Sequence, residues 1–211
     1  MTAPLTPEAF QAQTAVSRET VDRLTAYADL LRKWQPKINL VGPSTMDDLW
    51  RRHFLDSAQL WPLLPAETKT LIDFGSGAGF PGLVLAVMGV PEVHLVESDQ
   101  RKCAFMREAA RATGVSVTIH NKRIEAIAPF PVDVVSSRAL AALPQLLEFA
   151  APFLAPHTTC LFPKGQNVEA ELTHLNKIWT LRVDRQPSLT DADATILRLS
   201  EVRREQPADT R

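Results

Sequence analysis

The fold of this chain is decided by the stretch Leu71-Ile72-Asp73-Phe74-Gly75-Ser76-Gly77-Ala78-Gly79-Phe80-Pro81-Gly82. The apolar run before Asp73 is too short for a helix and is closed by turn residues, which indicates a buried strand. The alternating glycines leave one side of a tight turn without Cβ atoms, so the backbone can approach a ligand closely. Pro81 suits the first turn of a helix, and the apolar residues after it predict a helix that ends at Gly89.

A strand, a glycine turn and a helix form the first half of a βαβ unit, which binds nucleotides at the carboxyl ends of its strands. A P-loop requires Gly-Lys-Ser/Thr after its glycines, and Gly79-Phe80-Pro81 follows here. A dinucleotide motif requires a glycine where Phe80 stands. The pattern Asp-x-Gly-x-Gly-x-Gly instead resembles the first motif of Rossmann-like S-adenosylmethionine methyltransferases. The alternative is a glycine loop that binds no ligand.

The composition is that of an ordinary globular protein. The chain has 211 residues, 45% of them hydrophobic, so it can bury a core without disulfides. Two cysteines, Cys103 and Cys160, are too few for a disulfide framework and suit a reducing compartment. The sequence has neither a membrane-length apolar run nor a signal pattern, so we expect a cytoplasmic protein without a membrane partner. The net charge of −1 does not predict bulk capture of nucleic acid, although a local basic patch is compatible with it.

Short apolar runs alternate with helical patterns from Thr70 onward. This alternation predicts an α/β protein of the Rossmann-like class I methyltransferase type, with a seven-stranded, mostly parallel sheet and helices on both faces. We divide the chain into an N-terminal helical extension or cap over residues 1–65, an S-adenosylmethionine-binding methyltransferase domain over 66–203 and a polar tail over 204–211. The first boundary is a proline-bounded connector at residues 60–65.

Hydrophobic periodicity places the individual elements. Helices are predicted over residues 17–34, 45–60, 81–88, 99–113, 143–154 and 168–178. After the first strand, further strands are predicted at residues 93–96, 115–119, 132–136 and 158–162, with a closing hairpin of strands 179–183 and 195–199.

Acidic and apolar residues follow the second and third predicted strands. Glu97 ends the second strand at a spacing typical of an acid that binds a ribose, and a carboxylate can accept both hydroxyl protons of a vicinal diol. Helix capping is the alternative role of an acid at this place, and Asp99 can fill it. Ile124 and Glu125 lie in a loop that resembles an adenine site of the methyltransferase class; the alternative is a solvated loop.

Two cations follow the fourth and fifth strands at the same edge. Arg138 offers a permanent charge and five donors, which suit a carboxylate, a phosphate or a guanine edge. Lys164 could bind substrate or simply extend to solvent. Methylation of exocyclic amines usually requires an Asp/Asn-Pro-Pro-aromatic motif, which is absent here. Cys160, inside an apolar strand, is expected to be a buried thiol rather than a nucleophile.

The helical extension contains Arg51-Arg52-His53-Phe54-Leu55-Asp56-Ser57. Helical spacing puts Arg52, His53 and Asp56 on one face. The structural interpretation is an ion pair, and the functional one is a surface that faces RNA. We favour a mixture, in which Asp56 is structural and the arginines partly bind phosphates.

Together these segments resemble one family, the RsmG methyltransferases, also called glucose-inhibited division protein B. The resemblance covers about residues 24–199. It depends on Lys33-Trp34 with Asn39-Leu40, on Arg52-His53-x-Leu55-Asp56-Ser57, on the glycine stretch, on Ser137-Arg138-Ala139 and on Lys164-Gly165. It implies methylation of N7 of one guanine in bacterial small-subunit (16S) ribosomal RNA, with S-adenosylmethionine as cofactor and this RNA or the small subunit as partner.

The resemblance also implies the site residues. Cofactor contacts fall on Gly75, Phe80, Ile124, Glu125 and Arg138, and the motif adds Gly77, Gly79 and Glu97. We hypothesise that Arg138 fixes the methionine carboxylate or the guanine edge, and that Lys164 holds an RNA phosphate. We expect a monomer that uses no metal. Two residues depart from the family pattern, since Glu97 stands where Asp is more usual and Val41 where Thr is common.

Guanine N7 carries a lone pair and no proton, so its attack on a sulfonium methyl needs no general base. Orientation should therefore supply most of the catalysis, and we predict no His/Asp or Cys/His pair at the active edge. One alternative keeps the chemistry but methylates another RNA position, a protein or a small molecule. Another is a module that binds nucleotide or RNA without chemistry. Nicotinamide-dependent reduction is a third alternative, and Phe80 argues against it.

Overall fold

The computed structural model describes residues 3–173, 175 and 178–205. Its strands are β1 (Thr70–Phe74), β2 (Glu92–Val96), β3 (Thr118–His120), β4 (Val134–Ser137), β5 (Thr159–Lys164), β6 (Trp179–Pro187) and β7 (Thr195–Arg204). They form one sheet in the order β3-β2-β1-β4-β5-β7-β6. All pairs from β3 to β5 are parallel, and β7 is antiparallel to both of its neighbours. The predicted α/β class and its seven strands are confirmed.

The helices are α1 (Pro7–Thr14), α2 (Arg18–Trp34), α3 (Asp56–Ala58), α4 (Gly82–Met88), α5 (Gln100–Thr113), α6 (Leu143–Ala150) and α7 (Val168–Thr173). The predicted stop and start signals of α5 are confirmed, because Asp99 caps its first turn and Gly114 follows it with φ +68°. The helix predicted over 168–178 ends at Thr173, and residues 174, 176 and 177 lie outside the described part of the chain.

The second predicted helix, residues 45–60, is wrong as a single α-helix. The chain forms a 3₁₀ segment at Pro43–Asp48, a π-helical segment at Trp50–Leu55 and then α3. Four residues of the π-helical segment are buried, namely Trp50, His53, Phe54 and Leu55. Periodicity indicates a helical segment but does not distinguish its hydrogen-bond pattern, and π-helical turns concentrate at functional sites.

Element boundaries shift by a few residues elsewhere. The third strand begins at Thr118 rather than at residue 115, and the closing hairpin strands run longer than predicted. Pro81 precedes α4 rather than lying inside its first turn. β7 extends through Arg204, the first residue of the predicted polar tail, and residues 206–211 of that tail lie outside the described residues.

Apolar side chains of the strands alternate between two cores. Leu71 of β1 belongs to the core under α4 and α5, and Ile72 belongs to the core under α6 and α7. This alternation is what a parallel sheet covered on both faces requires. In the described residues, no helix is long and apolar enough to cross a bilayer.

The N-terminal helices share the first of these cores with the sheet domain. Tyr27 of α2 is fully buried, and its ring stacks on Phe80 with centroids 5.3 Å apart. Trp34 at the end of α2 meets Phe105 of α5 edge-on at 5.7 Å. Apolar contacts therefore continue across the predicted boundary at residues 60–65, and the division into domains stays a prediction.

Gly82 brings α4 close to the sheet. A Cβ at this position would lie 2.5 Å from Leu95 Cδ2 and 2.8 Å from Asp73 Cβ. We therefore expect Gly82→Ala to lower the free energy of unfolding by about 1–3 kcal/mol, measured by urea denaturation, because the helix must move away from β1 and β2. Gly165→Ala is the matched control, since no atom of the described residues would lie within 4 Å of a Cβ at Gly165. Equal stabilities of the two variants would contradict the interpretation.

Candidate active site at the carboxyl edge of the sheet

Asp73 fixes the glycine turn from below. Its Oδ2 accepts the Gly82 N–H at 3.2 Å, and its Oδ1 accepts the Ser136 hydroxyl of β4 at 2.8 Å. The carboxyl is fully buried, and burial raises the pKa of Asp73 to about 6 although these hydrogen bonds oppose the shift. Asp73 thus links β1, β4 and the start of α4, and its role in the motif is structural.

Glu97 orients the next part of the turn. Gly75 and Gly77 have φ values of +65° and +58°, a conformation that favours glycine. The Gly77 N–H donates to Glu97 Oε2 at 3.1 Å, and the Asp99 N–H donates to Oε1 at 2.8 Å. Each carboxylate oxygen keeps a further lone pair, so Glu97 can still accept two hydroxyl protons from a ligand.

The smaller of two neighbouring cavities lies above this turn. It has a volume of about 360 Å³. Its lining includes Gly75, Gly77, Glu97, Ile124, Glu125 and Arg138, together with Lys102, Lys122, Arg123 and Leu140. We call it the cofactor cavity. Its carboxylate at the end of β2 and its apolar Ile124 are groups that suit a nucleoside, with the diol at Glu97 and the ring against the aliphatic side chain.

The larger cavity, about 580 Å³, adjoins the first and is called the acceptor cavity. Its walls come from the glycine turn, the π-helical segment, the ends of β4 and β5, α7 and the β6–β7 loop. The two cavities share Gly75, Gly77, Lys102, Arg138 and Ala139. Ligands in the two cavities would therefore meet at the glycine turn beside Arg138.

Arg138 joins the sheet edge to the helical extension. Its Nη1 donates to Asp56 Oδ2 and to the Arg52 carbonyl, both at 3.1 Å, and its Nη2 donates to His53 Nδ1 at 2.9 Å. The guanidinium carbon also lies 5.3 Å from the centroid of the Phe80 ring. This set of contacts fixes the guanidinium plane, and the side chain remains 21% exposed at the junction of the cavities.

His53 is held as a neutral ring. An arginine only donates, so His53 Nδ1 accepts from Arg138 and the ring proton sits on Nε2, which donates to Thr45 Oγ1 at 2.7 Å. Burial, with the charges of Arg138 and Arg52, lowers the pKa of His53 to about 3. His53 and Asp56 both lie at the active edge, but each is bonded to Arg138 rather than to the other. Neither nitrogen of His53 is free to act as a base.

Lys164 is paired rather than free. Its ammonium lies 2.7 Å from Glu171 Oε2 and donates to the Ala141 carbonyl at 3.0 Å, and its side chain is 9% exposed. Glu171 also accepts the Leu143 N–H at 2.6 Å. Lys164 lines the acceptor cavity, but these contacts hold it to the loop after β4 and to α7.

The sequence matches the family model described as rRNA small subunit methyltransferase G over residues 20–197. The chain belongs to this family. The resemblance inferred from the motifs is therefore confirmed. Ribosomal RNA small subunit methyltransferase G from Rhodospirillum centenum is 60% identical over 92% of this chain and 89% of that protein. The protein of the same name from Rhodospirillum rubrum is 58% identical over 95% of this chain and 100% of its own length.

Solved structures support the fold of this family member. A TehB-like SAM-dependent methyltransferase from Corynebacterium glutamicum matches 83% of this chain and 96% of its own, with a TM-score of 0.56 and 12% identity. A ribosomal protein L11 methylase from Lactobacillus delbrueckii subsp. bulgaricus matches 69% of this chain and 76% of its own, with a TM-score of 0.59 and 14% identity. At these identities the likeness shows the fold alone, which is the Rossmann-like methyltransferase fold.

The structure brings most of the predicted site residues of this family member together. Six of them line the cofactor cavity, namely Gly75, Gly77, Glu97, Ile124, Glu125 and Arg138. Phe80 and Lys164 line the acceptor cavity instead. Within the described residues, Gly79 lines neither cavity. A Cβ at Gly79 would lie 2.6 Å from Tyr27 Oη. Tyr27 of α2 and Leu83 of α4 fill the space beside Gly79, and its role in cofactor binding stays a prediction.

Sequence reasoning missed several residues of this site. The Tyr27 hydroxyl donates to the Ala78 carbonyl and so anchors the turn from α2. Its position in the apolar stripe of that helix, and its being the single tyrosine of the chain, were the available signals. Asp191, in the loop between β6 and β7, and Glu171 line the acceptor cavity, and no local pattern indicates either of them.

Proposed function

We propose that this chain transfers a methyl group from S-adenosylmethionine to N7 of a guanine in bacterial small-subunit (16S) ribosomal RNA. The observation that carries the proposal is the junction of the two cavities at Gly75, Gly77 and Arg138. A donor in one cavity and a base in the other would meet there. The family that the chain belongs to is described as methylating small-subunit rRNA, which supports this acceptor.

The residues of the cofactor cavity fit S-adenosylmethionine. Glu97 has acceptor capacity for the ribose diol, Ile124 offers an apolar face to the adenine, and Gly77, which has no Cβ, leaves the backbone of the turn open to the methionine part. When bound, this cofactor supplies an electrophilic methyl group on a positively charged sulfur. The protein has only to hold that methyl in line with the guanine nitrogen.

Catalysis in this scheme comes from orientation rather than proton transfer. N7 has no proton to lose, and His53 is neutral with both nitrogens engaged. Arg138 sits where the two cavities join, fixed by Asp56 and His53, so it can bind the methionine carboxylate or the acceptor base without reorganising. Arg138 is therefore the residue that we place at the reacting groups.

Lys164 receives a different role from the phosphate contact first hypothesised. Because its ammonium is paired with Glu171 and bonded to the Ala141 carbonyl, we propose that it positions the loop after Arg138. Lys102, Lys122 and Arg123 line the cofactor cavity, the last two are exposed, and none of the three takes part in an ion pair within the described part of the chain. They are better placed to bind RNA phosphates.

Mass spectrometry of ribosomal RNA tests the function. Purified protein, labelled S-adenosylmethionine and small-subunit RNA from a strain lacking this enzyme should give one N7-methylguanine, located by nuclease mapping. Parallel reactions with naked RNA and with assembled subunits identify the form of the substrate. Label on another atom, on protein or on a small molecule would support a different acceptor, and no transfer would support a binding module.

We further propose a monomeric, cytoplasmic enzyme that needs no metal. Size-exclusion chromatography with light scattering should give the mass of one 23.4 kDa chain. Methyl transfer should be unchanged after dialysis against a chelator, and restoration of lost activity by a metal would contradict this part of the proposal.

A further inference from the structure

We propose that the ion pair of Arg52 and Asp191 selects guanine by binding its Watson–Crick edge in the acceptor cavity. Both side chains line that cavity, one from the π-helical segment and the other from the loop between β6 and β7. The inference rests on the proposed function and adds the residues that recognise the base. Guanine presents in order the O6 acceptor, the N1–H donor and the N2 amino donor, so its partner must offer one donor and two acceptors.

The loop that carries Asp191 is fixed relative to Arg138. The Thr190 hydroxyl donates to Asp56 Oδ1 at 2.6 Å, and the Leu189 N–H donates to Gln59 Oε1 at 2.7 Å. Asp56 accepts from Arg138 through its other oxygen. One carboxylate thus ties the loop to the residue at the junction of the cavities, which places Asp191 at a defined distance from the reacting groups.

Among the described carboxylates of this cavity, Asp191 can accept further hydrogen bonds from a ligand. Its Oδ1 accepts the Asp193 N–H at 3.0 Å, and its Oδ2 lies 3.5 Å from Arg52 Nη1, too far for a strong hydrogen bond. Its side chain is 43% exposed, against 17% for Asp56 and 22% for Glu171. Those two carboxylates are already bonded to Arg138 and Lys164.

The paired side chains present the pattern that guanine requires. Arg52 can donate to O6, and Asp191 can accept from N1–H and the N2 amine, which reproduces the hydrogen bonds of a cytosine partner. Adenine carries an amine in place of O6 and no proton on N1, so it would face Arg52 with a donor and Asp191 with an acceptor. N7 lies beside O6 on the side away from N2, and remains free for methylation.

The test compares Asp191→Ala with wild type on two acceptors. Small-subunit RNA is prepared with guanine, or with inosine, which lacks the N2 amine, at the methylated position located by mass spectrometry. We expect wild type to lose about tenfold in kcat/KM on inosine, because one carboxylate lone pair loses its partner. Asp191→Ala should lose about ten- to a hundredfold on guanine, and its guanine-to-inosine ratio should fall to about one.

Asp193→Ala is the control, since it removes the same charge from the same loop. The Asp193 side chain accepts a hydrogen bond from Gln166, and Asp193 is not among the described residues that line the acceptor cavity. Wild-type discrimination retained by Asp191→Ala, or lost equally in Asp193→Ala, would overturn the inference while leaving the proposed function intact. Absence of N7 methylation by wild type would instead reject the proposed function.

Discussion

The Arg138→Ala variant should lose at least about a hundredfold in kcat/KM for methyl transfer, the effect of removing a fixed charged donor from a preorganised site. The guanidinium lies at the junction of the cavities and is held by Asp56, by His53 and over the Phe80 ring. No other cation of the described residues combines these contacts with access to both cavities. The measurement is single-turnover transfer of labelled methyl to small-subunit RNA.

Two controls separate this loss from unfolding. Arg138→Lys keeps the charge but not the planar set of donors, so it should recover only part of the activity. Arg185→Ala removes a surface arginine whose partner is the exposed Glu169, and transfer should be unchanged. The thermal midpoint of Arg138→Ala should stay close to that of wild type, because water from the cavity can replace the lost donors. Near-normal transfer by a folded Arg138→Ala protein would reject the proposed role.

The His53→Asn variant should lose less of its free energy of unfolding than wild type does when the pH falls from 7 to 4. The pKa of His53 is lowered to about 3 in the folded protein. As the pH falls below 6.5, the unfolded chain therefore binds a proton at His53 that the folded chain does not bind. This group therefore stabilises the fold above pH 6.5, and its contribution is lost as pH falls towards 3. Between pH 6.5 and pH 4 the loss is about 3 kcal/mol, at about 1.4 kcal/mol per pH unit.

Asp73 acts in the opposite direction. The pKa of Asp73 is raised to about 6 in the folded protein. Its stabilising contribution to the free energy of unfolding is therefore fully present below pH 3.8 and is lost as the pH rises through 6. Between pH 4 and pH 6 the two groups largely cancel in wild type. In His53→Asn, urea denaturation should therefore show a free energy of unfolding that decreases as the pH rises from 4 to 6, which is the effect of Asp73 alone. If this free energy changes with pH in the same way in the variant and in wild type, the lowered pKa of His53 is contradicted.

Local patterns predicted the sheet correctly, and they named residues that the structure brings to one edge of it. The strand before Asp73, the glycine turn and Glu97 at the end of β2 all depend on short-range signals, namely an apolar run, a glycine spacing and the position of an acid. Parallel strands end at one edge, so residues at those ends come together once the topology is known. That rule placed Ile124, Glu125 and Arg138 at one cavity.

The contacts that local patterns did not predict are long-range. Tyr27 reaches Ala78, Thr190 reaches Asp56, and Arg138 reaches His53, each across a large separation along the chain. A single sequence contains no spacing that pairs such residues. The packing of Tyr27 against Gly79 is likewise long-range, so the sequence around the glycine turn does not indicate it.

The aromatic partners of α2 lie far later in the chain than the helix itself. Translation delivers α1 and α2 before Phe80 and Phe105, the aromatic partners of Tyr27 in α2, have been added. Most of the stability of a protein helix comes from the packing of its apolar face rather than from its own propensity. The apolar stripe of α2 therefore stays without these partners until the residues of α5 have emerged from the ribosome.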